Sequence, residues 1–122
     1  HEAERAYLKE AGIEALTMQG MGLVTAEGFA AVPPQEIYDF SLNAWKDYAD
    51  EADGLFISCM NYDGMAAAQA LEDEIGKPVV TSHSATLWSV LGQAGVTEPV
   101  YGYGRLLAEP RTDRRPNAAS VV

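Results

Sequence analysis

Two short apolar runs, each leading into a helix-forming stretch that a glycine stops, constrain the fold of this chain more than any other feature. Gly54-Leu55-Phe56-Ile57-Ser58 precedes the alanine-rich stretch 64–75 and Gly76. Lys77-Pro78-Val79-Val80-Thr81-Ser82 precedes the stretch 84–94 and Gly95. Continuous runs this short read as strands, and the lack of alternation over Leu55–Ser58 predicts burial on both faces. Asp63 is placed to cap the first of these helices, and each glycine is suited to the left-handed residue that ends one. Strand and helix alternating through short turns is the pattern of a parallel sheet with crossover helices. The expected fold class is α/β, a three-layer parallel sheet with crossover helices.

The pattern extends upstream. Residues 2–11 are good helix formers with Gly12 at the stop, so the chain is expected to begin at or inside a helix. Ile13 to Gln19 reads as a short strand ending in Gly20-Met21-Gly22, and 20–32 as a loop. Val32-Pro33-Pro34 opens what reads as the longest helix, since a first helical turn tolerates proline. Ile37, Phe40, Ala44 and Tyr48 fall on one face of it, flanked by Leu42 and Trp45. The last helix is expected to turn Leu87, Trp88, Leu91 and Ala94 inward. From Glu109 to Val122 the chain is polar and aperiodic, with Pro110, Pro116 and three arginines. The expected division is one domain at 1–107 and a flexible tail at 108–122.

Length and charge narrow the class of function. A chain of 122 residues is one domain able to bury a core. Its net charge of −10 argues against nucleic acid or an anionic membrane as partner. No stretch approaches the roughly 20 apolar residues of a membrane span. Glu2, Glu4, Arg5, Lys9 and Glu10 interrupt the opening segment, which does not read as a signal peptide. One cysteine allows no internal disulfide, and a cytoplasmic location is expected. The acidic residues Asp47, Asp50, Glu51 and Asp53 read as a solvated helix end rather than a metal site.

The residues with chemical potential gather at two strand ends. Ser58, Cys59, Met60 and Asn61 follow the first strand; Thr81, Ser82, His83, Ser84 and Thr86 surround the end of the second. In a parallel sheet both ends open on one edge, where ligands collect and helix N–H groups favour anions. Such N–H groups also stabilise a thiolate at Cys59. The competing reading of Cys59 is a small packed hydrophobe. A Cys59–His83 nucleophile pair is disfavoured, because nothing in the sequence supplies the third group that orients such a histidine. Ser82, Ser84 and Thr86 are equally suited to capping a helix. A lone thiol is better suited to moving one proton. Tyr101-Gly102-Tyr103-Gly104-Arg105 lacks the spacing of a phosphate loop, and Arg105 is expected to pair with an acidic side chain.

The segments Ala52–Asn61, Leu71–Ser82, Ala85–Trp88 and Gly102–Leu107, with the Val32-Pro33-Pro34-Gln35-Glu36-Ile37-Tyr38 entry, resemble the C-terminal half of the aspartate/glutamate racemase superfamily. Among its branches the chain is most similar to that of maleate cis-trans isomerase and arylmalonate decarboxylase. The resemblance implies one half of a pseudo-symmetric, two-domain, cofactor-independent enzyme whose halves each place a residue in a central cleft. It implies that Cys59 is the proton donor or acceptor, and that groups at Ser58, Met60, Asn61 and Ser82 hold a substrate carboxylate. It further implies a small dicarboxylate substrate, a homo-oligomer, no metal, and a preceding half of the same enzyme carrying a second cysteine. Asn61 favours the isomerase pattern over the decarboxylase; racemisation of an amino acid is the further alternative. Met60 and the Asp63-Gly64 turn depart from the pattern, and a substrate different from that of the family's members is the corresponding expectation. This chain alone is expected to be inactive, and a non-catalytic binding module is the alternative from another class.

Overall fold

A computed structural model describes residues 1–116. The element order is α1 (Glu2–Glu10), α2 (Ala26–Ala30), α3 (Pro34–Trp45), β1 (Leu55–Ile57), α4 (Gly64–Ile75), β2 (Val79–Thr81), α5 (Ser82–Gln93) and α6 (Arg105–Ala108). The two strands pair in parallel with Leu55 opposite Val79, Phe56 opposite Val80 and Ile57 opposite Thr81, and α4 makes the crossover. The fold is therefore α/β with a parallel sheet, as the alternation predicted.

The local signals explain where the elements stop. Pro34 opens α3 behind an extended Pro33. The Asp63 carboxylate accepts the Ala66 N–H at the start of α4, and Gly76 ends that helix at φ +69°. Helix α4 lies on the sheet face that carries Ile57 and Thr81. A Cβ added at Gly64 would meet Ile57 Cγ2 at 2.9 Å and Thr81 Cγ2 at 3.3 Å, so this close approach requires glycine. Ile37, Ile57, Ala67, Ala68, Leu71 and Val79 form the core, joined by Val32 and Tyr62.

The structure corrects several sequence expectations. Ile13–Gln19 forms no strand, since a strand needs a ladder partner and the only described sheet has two strands. Instead the segment folds back on α1: the Ile13 N–H donates to the Leu8 carbonyl and Arg5 bonds the Ala15 carbonyl. The expected loop 20–32 contains α2, capped by the Thr25 hydroxyl at the Gly28 N–H. Burial on both faces of β1 fails at Phe56, which is 48% exposed because its side of the two-stranded sheet is incompletely covered.

Helix faces are also rotated from expectation. Helix α3 is no longer than α4 or α5, at twelve residues each. It buries Ile37, Ser41 and Trp45, while Tyr48 lies beyond its end. Apolar periodicity could not find a face whose central residue is a small hydroxyl. Helix α5 buries Ser84 and Gly92, leaving Ala94 exposed. The Arg114 guanidinium occupies the space over Gly92, and the Gly92 carbonyl accepts the Arg114 N–H at 2.9 Å.

The segment expected to be a flexible tail is fastened in its first part. Arg111 is 5% exposed, and its guanidinium donates to the carbonyls of Val96, Leu107 and Glu98. Arg114 stacks over the Trp88 ring at 4.0 Å and donates to the Trp88 and Ser89 carbonyls. Carbonyl oxygens, a fixed fork of donors and an aromatic face are sufficient to hold an arginine without a carboxylate. Residues 117–122 of that expected tail lie outside the described residues.

Candidate active site

The register of the sheet sets the two strand exits side by side. Ile57 ends β1 opposite Thr81, which ends β2, and α5 begins at the next residue, Ser82. On leaving β1 the chain turns sharply through Cys59, the only non-glycine residue with positive φ among those described, at +134°. Side chains with a Cβ rarely occupy this region, which costs on the order of 1–3 kcal/mol and persists only where the surroundings impose it. Here they include a cross-strand tie: the Cys59 backbone N–H donates to Ser82 Oγ at 3.0 Å. The half-buried thiol residue packs against the core cluster.

The structure places the expected site residues unevenly. Ser58, Met60 and Asn61 are exposed beside Cys59, and Ser82 is half-buried and bonded to it. Thr81 and Ser84 are committed elsewhere. The Thr81 hydroxyl accepts the Ser84 N–H at 3.0 Å and the Ser84 hydroxyl accepts the Thr81 N–H at 2.9 Å, a buried capping box at the start of α5. Thr86 is exposed one turn further on. Among the described residues no hydrogen bond joins Cys59 to His83, whose buried Nδ1 has no partner. Asp63, rather than Cys59, caps α4, so the helix start tied to Cys59 is that of α5. The Arg105 side chain forms no ion pair among the described residues, where the one ion pair joins Arg115 to Asp113.

Tyr62 was not anticipated. It is buried three residues after Cys59, packs edge-on against Phe29, and directs its hydroxyl to the Met21 sulfur. Burial pushes its phenol above the ordinary value of 10.0, and electrostatic interaction with Glu36 and then Cys59 adds to the rise. Glu72 was also missed, although a lone glutamate beside Ala68 and Leu71 on the buried side of α4 is a visible sequence signal. No group of three or more His, Cys, Asp or Glu side chains is arranged to hold a metal among the described residues. No described helix is long and apolar enough to cross a membrane.

A parallel strand–helix–strand unit with a thiol residue beside the adjacent carboxyl ends of its strands defines an α/β protein with a chemically capable side chain at its sheet edge. The family model of arylmalonate decarboxylase matches residues 2–107, and the chain belongs to that family. The match bears out the resemblance drawn from Ala52–Asn61 and the segments that follow it. Arylmalonate decarboxylase of Bordetella bronchiseptica is 29% identical over 110 residues, 89% of this chain and 45% of that protein. The structure of unliganded arylmalonate decarboxylase superposes with a TM-score of 0.76 at 29% identity, over 87% of this chain and 46% of the other. Maleate isomerase Iso from Pseudomonas putida S16 superposes with a TM-score of 0.78 at 25% identity, over 88% and 42%. The chain thus spans less than half the length of these relatives.

Proposed function

We propose that this chain is the Cys59-bearing half of an isomerase of the maleate cis-trans isomerase type, acting on a small dicarboxylate without a cofactor. The observation that carries this reading is the turn at Cys59, a thiol residue held at a sheet edge with its backbone tied to the start of the next helix. A thiol there can deliver or remove one proton at a carbon beside a carboxylate. Backbone N–H groups and polar side chains around Ser58, Met60, Asn61 and Ser82 are suited to hold that carboxylate. In the isomerase reading a second cysteine, from a preceding half, adds to the substrate double bond while Cys59 supplies the proton. Rotation about the new single bond and elimination then give the trans isomer. Assembly as a homo-oligomer in the cytoplasm belongs to the same reading.

The family match and the 29% identical relative favour a second reading, decarboxylation of an arylmalonate. There Cys59 S–H would protonate the enediolate carbon left after loss of CO2. Both readings give Cys59 one task and differ in the substrate and the partner residue. Assay of maleate isomerisation and of phenylmalonate decarboxylation by a protein of the relatives' full length, with and without Cys59→Ala, tests them. Loss of either activity in the variant, with folding retained, supports the reading. Full turnover by Cys59→Ala rejects it. The 122-residue chain alone is expected to turn over neither compound.

A further inference from the structure

We infer that Ser82 is a positioning residue, holding Cys59 in the backbone conformation from which its thiol would act. The inference rests on the proton-transfer reading for its catalytic meaning and on separate geometry for its physical content. Cys59 adopts φ +134°, a conformation that its own Cβ disfavours. A residue with a Cβ stays there only when other contacts outweigh the strain. The Cys59 N–H is the group that φ orients, and it is bonded to Ser82 Oγ at 3.0 Å.

The acceptor is itself well anchored. Ser82 is the first residue of α5, directly after Thr81, whose N–H and hydroxyl are locked by the buried capping box with Ser84. Thr81 is in register with Ile57, two residues before Cys59. The tie therefore closes a short circuit from β1 across the ladder to β2 and back through one side chain. Accepting the Cys59 N–H leaves the Ser82 O–H available as a donor, on the edge where the proposed carboxylate would lie. Thr81 and Ser84 have no such freedom, being engaged with one another. Of the hydroxyls around the second strand end, Ser82 is the one bonded to the thiol residue.

The test is amide hydrogen exchange at Cys59 in the full 122-residue chain, for wild type, Ser82→Ala, Ser82→Thr and the control Thr86→Ala. The wild-type Cys59 amide is expected to be protected. Ser82→Ala should exchange it about fivefold faster, the factor a neutral hydrogen bond of typical net strength supplies. Ser82→Thr should restore most of the protection, and Thr86→Ala should leave it unchanged. An unprotected Cys59 amide in wild type overturns the inference without recourse to any variant, as does an unchanged exchange rate in folded Ser82→Ala. Iodoacetamide labelling across pH separates the two claims. A fivefold exchange effect, about the size expected, together with a wild-type thiol inert until unfolding would keep Ser82 as the holder of this turn and remove the proton-transfer reading.

Discussion

Glu72 and Arg105 are joined by a 2.8 Å hydrogen bond from the Arg105 backbone N–H to Glu72 Oε2. The other carboxylate oxygen accepts the Val79 N–H at 2.9 Å, so one buried side chain fastens the start of β2 to the start of α6. Gly104 completes the clasp: its N–H donates to Gln69 Oε1, and a Cβ on it would lie 3.1 Å from Glu72 Oε1 at φ +98°. Removing a buried acceptor strands its donors, each at a cost of about 1–3 kcal/mol. Glu72→Ala is expected to lower unfolding free energy by about 3 kcal/mol. Glu72→Gln, which retains one acceptor oxygen, should lose about half as much. Urea denaturation measures both, and equal losses for the two variants would contradict the two-oxygen account.

Gly64 sets how near α4 lies to the sheet. Gly64→Ala places a methyl group 2.9 Å from Ile57 Cγ2, so helix or strand must shift. The expected destabilisation is about 1–3 kcal/mol, the usual range for overpacking. Gly12→Ala is the informative comparison, since its added Cβ meets nothing within 4 Å although φ is +82°. Thermal melts should place Gly64→Ala below Gly12→Ala.

The strain at Cys59 makes a prediction that separates backbone from side chain. Cys59→Gly and Cys59→Ala both remove the thiol, but only glycine removes the Cβ that disfavours φ +134°. Cys59→Gly is therefore expected to be the more stable variant by about 1 kcal/mol, the low end of such strain. A higher denaturation midpoint for Cys59→Ala would show that the turn is unstrained.

Tyr62 links stability to alkaline pH. Its phenol titrates above the ordinary value of 10.0 in the folded chain, chiefly through burial. Above that ordinary value the unfolded chain has released this proton while the folded chain retains it. Stability is then complete below about pH 10 and falls as pH rises toward the folded value. Tyr62→Phe should flatten this part of the profile, seen in urea midpoints between about pH 8 and pH 11. Identical alkaline slopes in the two proteins would refute the assignment.

Arg111 provides the last prediction. Its guanidinium serves the carbonyls of Val96, Leu107 and Glu98 from a buried position. Arg111→Met retains the stem but supplies no donors, and is expected to cost about 3 kcal/mol by urea denaturation. Arg114→Ala removes a more exposed contact with Trp88 and should cost about 1 kcal/mol.

The sequence was most legible where one residue type has one physical use. Asp63 at a cap, Gly76 in a left-handed stop and Pro34 in a first turn placed their helices within a residue or two. The family resemblance was equally legible, because it lay in the order of several segments. Features that depend on a partner distant in sequence were not. Ile13–Gln19 has strand-like composition but no strand beside it among the described residues, and Ser41 takes a core position that no apolar pattern marks. At the site, the neighbourhood of Ser82 and Cys59 followed from parallel topology. The positive φ at Cys59 and the bond that accompanies it did not, since cysteine carries no preference for that region.

Helix α1 buries none of its residues, and the stretch after it bonds back to that helix. The opening of the chain therefore contributes little to the cooperative unit centred on β1, α4 and β2, and belongs to the tier of structure that opens at low free energy. Met21 and Phe29 mark where that tier meets the cooperative unit, through Tyr62. Cys59 packs on the same cluster and so sits at the boundary between a readily opened layer and a slowly opened one. Fraying that stops at Phe29 would leave in place the cluster on which Cys59 packs and the two strand exits that hold its backbone, making the opening of the chain's first layer a local equilibrium separate from global unfolding.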